Sequence, residues 1–294
     1  MSLSPTAVPK RFVTLFDDTY DQRDCRAYYR MLRDHGYSNH THAIPAFRAV
    51  LDALIRQREL DAPRIFDFAS SYGIVTALLK HDISADAFLD RYDDPGLDHL
   101  DHRQMARRDA AWLTGVPRRY PQAVFAGLDV AANAVEYGRA VGLFDHAFAE
   151  NLQDSPASEP LKRYLATTDL IVECGSVAHL MPVALDRMLE LSAPRRPWVV
   201  TSPVRGNERK QAFEVLHDHG LSVRALGAPF RHRRFDSASE QADAIGIARA
   251  AGHDTQGYET TGYFYAQVFV AGPPDEVADL PRDGFAAVTG GLSG

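Results

Sequence analysis

The sequence is poor in cysteine and in long apolar runs, and both shortages exclude whole classes of protein. Cys25 and Cys174 are the only cysteines in 294 residues, too few for a disulfide framework or a cysteine zinc site. No run of about 18 apolar residues is present that could cross a membrane. The amino terminus lacks the basic and apolar segments of a signal peptide. We therefore expect a cytoplasmic protein with no membrane partner.

An excess of basic charge is also missing. Lys and Arg number 32 against 39 Asp and Glu, which gives a net charge of −7 with histidine neutral. This balance disfavours a nucleic-acid partner, because such partners bind basic surfaces. The neighbours His40 and His42 have no acidic partner at ligand spacing, so we expect no metal site. A small-molecule ligand is the expectation that remains.

Short apolar runs alternate with amphipathic segments along most of the chain. Strands are predicted at 65–68, 124–129, 146–149, 169–174, 198–202, 221–226 and 263–270. Helices are predicted at 46–60, from residue 74, at about 105–113, 131–142 and 181–189, and at 208–218 and 237–251. This alternation predicts an α/β fold, a doubly wound and mostly parallel seven-stranded sheet with helices on both faces. One strand of the final pair is allowed to be antiparallel.

Composition divides the chain into three regions. Residues 1–60 are expected to form a helical amino-terminal lid. Residues 61–272 form the ligand-binding domain, with a charged insertion at 82–120. Residues 273–294 are rich in Gly, Pro and Asp and are expected to be a mobile tail.

The most informative stretch is the turn Asp67-Phe68-Ala69-Ser70-Ser71-Tyr72-Gly73. An acid ends a strand here, small residues make a tight turn, and a helix follows, as in the ligand pockets of α/β sheets. A phosphate-binding turn uses backbone N–H groups with no anion nearby. A carboxylate at this place suits a ligand with an amine or another cationic group. A nicotinamide dehydrogenase is disfavoured, because the three-glycine pattern is absent.

Polar residues also follow the next three strands. Asp129 ends the second strand, Glu150 and Asn151 follow the third, and Gly175 follows the fourth. In order and chemistry these pieces resemble the class I S-adenosylmethionine-dependent methyltransferases, over about 46–272. Two departures stand out. Only the last glycine of the family's first motif is present, and the insertion 82–120 separates the first two acids.

The resemblance implies S-adenosylmethionine as cofactor in a Rossmann-like domain and assigns a role to each matching position. Asp67 would balance the cofactor's ammonium, Asp129 would bind the ribose, and Asn151 or the Glu150 region would meet the adenine. The cofactor-binding set it implies is Tyr28, Tyr29, Asp67, Ala69, Ser71, Tyr72, Gly73, Asp129, Val130, Glu150, Asn151 and Gly175. The tyrosines would cover the sulfonium. Each acid could instead cap a helix or turn, and the tyrosines could simply pack.

The resemblance further implies a methyltransferase that acts on a small, biosynthetic metabolite by in-line methyl transfer. Candidate catalytic residues are His179, Tyr72 and His232, with Tyr265 as a further general base. Residues 231–234, Arg-His-Arg-Arg, could hold an acidic substrate, although a solvated face is commoner. The sequence also leaves a homodimer possible.

Two alternatives remain open. One is an enzyme that cyclises S-adenosylmethionine to azetidine-2-carboxylic acid and methylthioadenosine. The other is a non-catalytic binding module with the same fold.

Overall fold

A computed structural model describes residues 19–175, 181–207, 210–278 and 280. The described residues form one seven-stranded sheet, with β1 Arg64–Phe68, β2 Val124–Asp129, β3 His146–Ala149, β4 Leu170–Glu173, β5 Trp198–Thr201, β6 Ser222–Arg234 and β7 Tyr263–Gly272. Its order is β3-β2-β1-β4-β5-β7-β6. The first five strands pair in parallel, and β7 lies antiparallel between β5 and β6. The predicted, mostly parallel sheet is confirmed.

Helices connect most of these strands. They are α1 Arg26–Asp34, α2 Asn39–Arg58, α3 Ile74–Lys80, α4 Ala85–Asp90, α5 His102–Thr114, α6 Ala132–Ala140, α7 Glu159–Leu165, α8 Pro182–Ser192, α9 Lys210–Asp218, α10 Ala238–Ala250 and α11 Pro274–Val277. Short 3₁₀ turns lie at Pro95–His99 and Glu259–Thr261. Within the described ranges, no helix has both the length and the apolar character needed to cross a membrane.

The sheet is covered on both faces because successive strand residues point in opposite directions. Ile65 of β1 packs in one hydrophobic cluster and Phe66 packs in the other. Helices α2 and α3 contribute to the first cluster, and α7, α8 and α9 contribute to the second. Strands buried on both faces read as continuous apolar runs, which is why the sequence revealed them.

Helix α2 begins seven residues earlier than the predicted start at residue 46. It starts at Asn39 and contains Pro45, whose missing N–H normally disfavours a helix interior. The additional turns are buried, since Asn39, His40, Ala43 and Ile44 are all at most 5% exposed. The helix packs against β6 and β7, and this burial offsets the lost hydrogen bond.

Strand β6 corrects a second prediction. We expected it to end at residue 226, but pairing with β7 continues to Arg234 opposite Tyr263. Two register shifts interrupt the ladder. The guanidinium groups of Arg231 and Arg233 lie over the rings of Tyr263 and Phe264, at 4.6 and 4.4 Å. These contacts stabilise a strand that hydrophobic alternation did not indicate.

The predicted mobile tail is wrong for residues 273–278. Helix α11 packs there with Val277 fully buried. Arg58 and Trp198 both donate hydrogen bonds to Glu276, at 2.7 and 2.8 Å. Apart from Leu280, the remainder of the tail lies outside the described residues.

The charged insertion is anchored to the sheet domain by one buried carboxylate. Asp109 of α5 is 2% exposed and accepts hydrogen bonds from the hydroxyls of Tyr92 and Tyr137, at 2.8 and 2.6 Å. Tyr137 belongs to α6, so the bond joins the insertion to the helix that follows β2.

Candidate functional site

A cavity of about 420 Å³ lies at the carboxyl ends of β1, β2 and β4. The sheet order places β2 on one side of β1 and β4 on the other, so the connecting loops diverge and leave a crevice. The volume falls in the range of about 300–1,000 Å³ that is usual for small-molecule sites.

The wall of this cavity has a sheet side and a covering side. The sheet side consists of Phe68, Ala69, Ser71, Leu128, Asp129, Val130, Glu150, Asn151, Leu152, Glu173, Cys174 and Gly175. The covering side consists of Tyr20, Tyr28, Met31, Leu32, Tyr37, Asn39, His40, Met181, Val204, Asn207, His232, Arg233 and Phe264.

The structure brings most of the predicted site residues to this wall. Those lining it are Tyr28, Ala69, Ser71, Asp129, Val130, Glu150, Asn151, Gly175 and His232. Asp67, Gly73, Tyr72 and Tyr29 lie behind the lining, and Tyr265 packs against Tyr258 outside it. His179 lies outside the described residues.

The turn after β1 takes an unusual backbone shape. Ala69 and Ser71 both adopt the left-handed conformation, with φ of 57° and 49°. Non-glycine residues disfavour this conformation by roughly 1 kcal/mol or more each. The two residues stand where the resembled family has glycines, so the chain keeps the turn without them. The hydroxyl of Ser71 is buried without a hydrogen-bond partner in the described residues.

Asp129 holds this turn in place. Its Oδ2 accepts hydrogen bonds from the Ser71 amide at 2.9 Å and the Tyr20 hydroxyl at 2.7 Å, and its Oδ1 accepts one from the Ala131 amide at 3.0 Å. Burial raises the pKa of its carboxyl above the usual value, although these hydrogen bonds act in the opposite direction. The carboxylate is thus both a structural brace and part of the cavity wall.

Asp67 lies beneath the turn and is 1% exposed. Its Oδ2 accepts a hydrogen bond of 2.7 Å from the Thr76 hydroxyl. Burial raises the pKa of its carboxyl to about 7, and the negative charges of Asp129 and Glu173 add to that increase. Three carboxylates therefore meet at the ends of three adjacent strands.

Glu150 and Asn151 make local hydrogen bonds. Glu150 accepts from the amide and the hydroxyl of Ser158, at 2.9 and 2.6 Å. The Asn151 side chain binds Asp154 and the Gln153 amide. These bonds favour the turn-forming role for both residues. Val130 beside them is 58% exposed and gives this edge of the cavity an apolar surface.

The tyrosines divide into two groups. The Tyr72 hydroxyl donates to the Gln22 carbonyl and the Tyr29 hydroxyl donates to the Tyr72 carbonyl, and both side chains are at most 1% exposed. They therefore form a packed layer, which corrects the placement of Tyr72 among catalytic candidates and of Tyr29 over the cofactor. Tyr28 lies in front of this layer, 5.4 Å from the Tyr72 ring, and faces the cavity.

The covering side contains residues that sequence reasoning did not assign to the site. Asn39 and His40 lie in the first turn of α2, which the sequence did not predict, and both line the cavity. Tyr20 also lines it and donates a hydrogen bond to Asp129. Arg233 of the predicted basic cluster also lies there. Its guanidinium is bound to the carboxylate of Glu240, at 2.6 and 3.1 Å, so it is not a solvated charge.

Comparison with known proteins gives matches of structure only. No protein-family model and no curated protein sequence matches the chain. A precorrin-6y C5,15-methyltransferase from Geobacter metallireducens is 14% identical, with a TM-score of 0.38, and the match covers 76% of this chain and 87% of that one. The plantazolicin methyltransferase BamL, solved with S-adenosylhomocysteine, is 9% identical, with a TM-score of 0.41 and coverages of 84% and 90%.

A third solved structure is an S-adenosylmethionine-dependent methyltransferase from Geobacter sulfurreducens in complex with S-adenosylhomocysteine. It is 13% identical, with a TM-score of 0.35, over 80% of this chain and 93% of that one. At identities of 9–14% and TM-scores of 0.35–0.41, the likeness concerns the fold alone.

Proposed function

We propose that the chain is an S-adenosylmethionine-dependent methyltransferase acting on a small metabolite of a biosynthetic pathway. The observation that carries the proposal is the cavity at the carboxyl ends of β1, β2 and β4, where the strand order reverses. The turn from Ala69 to Ser71 and the carboxylate of Asp129 lie on its sheet side. Ligands of open α/β sheets bind at this position.

The electrostatics of the sheet side fit a cationic ligand. The donors that bind Asp67 and Asp129 are hydroxyls and backbone amides, all uncharged, and the Thr201 hydroxyl donates to Glu173. A bound cation would favour the ionised form of Asp67, whose pKa burial has raised. S-adenosylmethionine carries an ammonium and a sulfonium, so its positive groups suit the carboxylates of Asp67 and Asp129.

Other features of the wall fit the remaining parts of the cofactor. The buried Ser71 hydroxyl offers a hydrogen bond to its amino-acid part. The carboxylate of Asp129 can accept ribose hydroxyls, since such charge-assisted bonds are strong. The exposed side chain of Val130 gives an apolar surface for a flat ring such as adenine.

When bound, the cofactor supplies an electrophilic methyl group on a positively charged sulfur. Ser71, Asp129 and Val130 would hold the cofactor, and its methyl group would pass to a lone pair of the acceptor while the electrons of the carbon–sulfur bond stay on sulfur and the acceptor's proton goes to a base or water. The chain's contribution is to hold the acceptor in line and to exclude water. Tyr20 and Tyr28, on the covering side, would help to exclude water from the cavity.

The experiment is incubation of the protein with S-adenosylmethionine, with and without a panel of small metabolites, followed by mass spectrometry. S-adenosylhomocysteine together with a methylated metabolite supports the proposal. Methylthioadenosine formed without an acceptor would instead establish the cyclising alternative. Absence of S-adenosylmethionine binding by calorimetry would leave a module that retains only the fold.

A matched pair of variants links the activity to this cavity. Asp129→Asn should weaken S-adenosylmethionine binding at least tenfold, since it removes a charged acceptor from the wall. Asp82→Asn removes an exposed carboxylate that pairs with Arg119 in the insertion and should leave binding unchanged. Thermal unfolding of both variants separates a binding defect from a loss of structure.

A further inference from the structure

Two buried histidines on the covering side of the cavity carry ring nitrogens without hydrogen-bond partners. His40 lies in the first turn of α2 and His232 lies in β6, and both line the cavity. They are only 5% and 4% exposed. Nδ1 of His40 and both ring nitrogens of His232 have no partner within the described residues. Buried polar atoms are nearly always paired, and a bound polar group could supply the partner that each of these nitrogens lacks among the described residues.

Both imidazoles are neutral at ordinary pH. Burial lowers the pKa of His40 to about 4. Burial also lowers the pKa of His232 to about 3, and the positive charge of Arg233 contributes to that decrease. A neutral imidazole has one N–H donor and one acceptor nitrogen. The pair can therefore both donate and accept hydrogen bonds, but it offers no charge.

Apolar side chains share the covering side of the cavity with the two histidines. Met31, Leu32 and Phe264 line the same side of the cavity, and the Tyr37 ring packs edge-on against His232 at 4.9 Å. The nearby cation, Arg233, is held by the bidentate contact to Glu240. A carboxylate or phosphate placed here would thus meet neutral donors and a guanidinium that is already paired.

We propose that His40 and His232 form a hydrogen-bonding subsite for an uncharged hydroxyl group on a substrate with an apolar body. A hydroxyl can donate to one neutral imidazole and accept from the other, and each ring has at least one nitrogen without a partner in the described residues. The proposal rests on the proposed function, because the subsite would hold the acceptor molecule beside the cofactor.

Calorimetry with three simple probes tests the class of ligand. The probes are 4-propylphenol, propylbenzene and 4-propylbenzoate, each titrated into the full chain alone and into the chain saturated with S-adenosylhomocysteine. The phenol should bind at least about tenfold more tightly than propylbenzene, because one uncharged hydrogen bond is worth about that factor and the subsite offers two. The benzoate should bind more weakly than the phenol. Equal binding of phenol and propylbenzene, or preference for the benzoate, would overturn the proposal.

Histidine variants test whether this pair makes the discrimination. His40→Phe and His232→Phe should abolish the preference for the phenol, whereas His40→Gln and His232→Gln, which keep a donor and an acceptor, should retain part of it. His219→Gln is the control, since His219 pairs with Asp186 away from the cavity. A preference for the phenol that survives both phenylalanine variants would contradict the assignment.

The same titrations separate the two proposals. The histidine variants should still bind S-adenosylhomocysteine, whose expected site is on the sheet side. Failure of the wild-type chain to bind S-adenosylhomocysteine, with selective binding of the phenol, would refute the proposed function and leave the subsite standing. Binding of S-adenosylhomocysteine without preference for the phenol would refute the subsite alone. Imidazole nitrogen NMR shifts on adding the phenol provide a second readout for each ring.

Discussion

The hydroxyl of Tyr20 donates a 2.7 Å hydrogen bond to the carboxylate of Asp129, across 109 residues of sequence. This bond fastens the amino-terminal segment to the end of β2, over the place where the resemblance puts the ribose. The tyrosine and a ribose hydroxyl would therefore seek the same carboxylate oxygen.

Tyr20→Phe should separate these two effects. The variant loses a hydrogen bond to a charged group, so its free energy of unfolding should fall by about 1.5–3 kcal/mol. Its affinity for S-adenosylmethionine should rise, because the ribose no longer displaces the tyrosine. Urea denaturation and calorimetry measure the two quantities.

Tyr120→Phe is the matched control for that variant. Tyr120 also donates to a carboxylate, that of Asp52 at 2.8 Å, but neither residue lines the cavity. The control should lose stability without any change in affinity. A weaker affinity in Tyr20→Phe would show that the hydroxyl helps to hold the ligand instead of competing with it.

Because the backbone at Ala69 is left-handed, replacing this alanine by glycine should not destabilise the protein, in contrast to most Ala→Gly substitutions. Ala→Gly normally destabilises a protein, by about 1 kcal/mol in a helix. At φ of 57°, however, glycine removes the steric penalty of the Cβ atom. Ala69→Gly should therefore leave the free energy of unfolding unchanged or raise it by up to about 1 kcal/mol. Ala110→Gly, in the middle of α5, should lower it, and urea denaturation of the two variants compares them directly.

The sheet side of the site could be predicted from the sequence, because each of its residues directly follows a strand that the apolar pattern indicates. The apolar runs at 124–129 and 146–149 match β2 and β3 residue for residue. Parallel strands bring their carboxyl ends to one edge, so the acid and the small residues that follow them had to meet there. The predicted lining by Ala69, Ser71 and Asp129 follows from this rule.

The covering side was not accessible in the same way. His40 and His232 are separated by nearly the whole domain in sequence, and both line the cavity because α2 packs against β6. The sequence around each histidine is polar, and Pro45 obscured the true start of α2. For Asp67 the sequence predicted the position at the end of β1, but it did not predict that the side chain is buried behind the turn.

The raised pKa of Asp67 predicts a pH-dependent stability. The folded protein holds a proton on this carboxyl up to about pH 7, whereas the unfolded chain releases it near the ordinary value of 3.8. Between these values the folded state binds more protons, so the free energy of unfolding falls as pH rises. The decrease in the free energy of unfolding is complete above pH 7 and amounts to about 4 kcal/mol at most.

Asp67→Asn should remove this dependence. The amide oxygen can still accept the hydrogen bond from Thr76, but no charge is buried. We expect the variant to be more stable than the wild type at pH 8 and no more stable at pH 4, measured by urea denaturation without ligand. Asp82→Asn, which changes an exposed carboxylate, should show no such difference. Parallel pH profiles for wild type and Asp67→Asn would mean that Asp67 ionises normally.

The buried carboxylate of Asp109 supports the cavity from a distance. It binds the hydroxyl of Tyr137, whose ring packs edge-on against Tyr72 at 5.9 Å, directly behind the turn after β1. Asp109→Ala leaves the hydroxyls of Tyr92 and Tyr137 buried without their acceptor, and should lower the free energy of unfolding by about 3–5 kcal/mol. Asp109→Asn should cost less, because both tyrosines donate to the same oxygen, Oδ2, and an amide oxygen placed there can still accept from them.

Asp98→Ala is the control in the same insertion. Asp98 forms an ion pair with Arg30 at 2.6 Å, but its side chain is 58% exposed, so the loss should stay below about 1 kcal/mol. Hydrogen exchange should locate the damage in Asp109→Ala to α5 and α6, while the strands β4 and β5 keep their protection relative to global unfolding. Equal losses in the two alanine variants would show that the insertion is held by its apolar contacts and that Asp109 is a replaceable part of it.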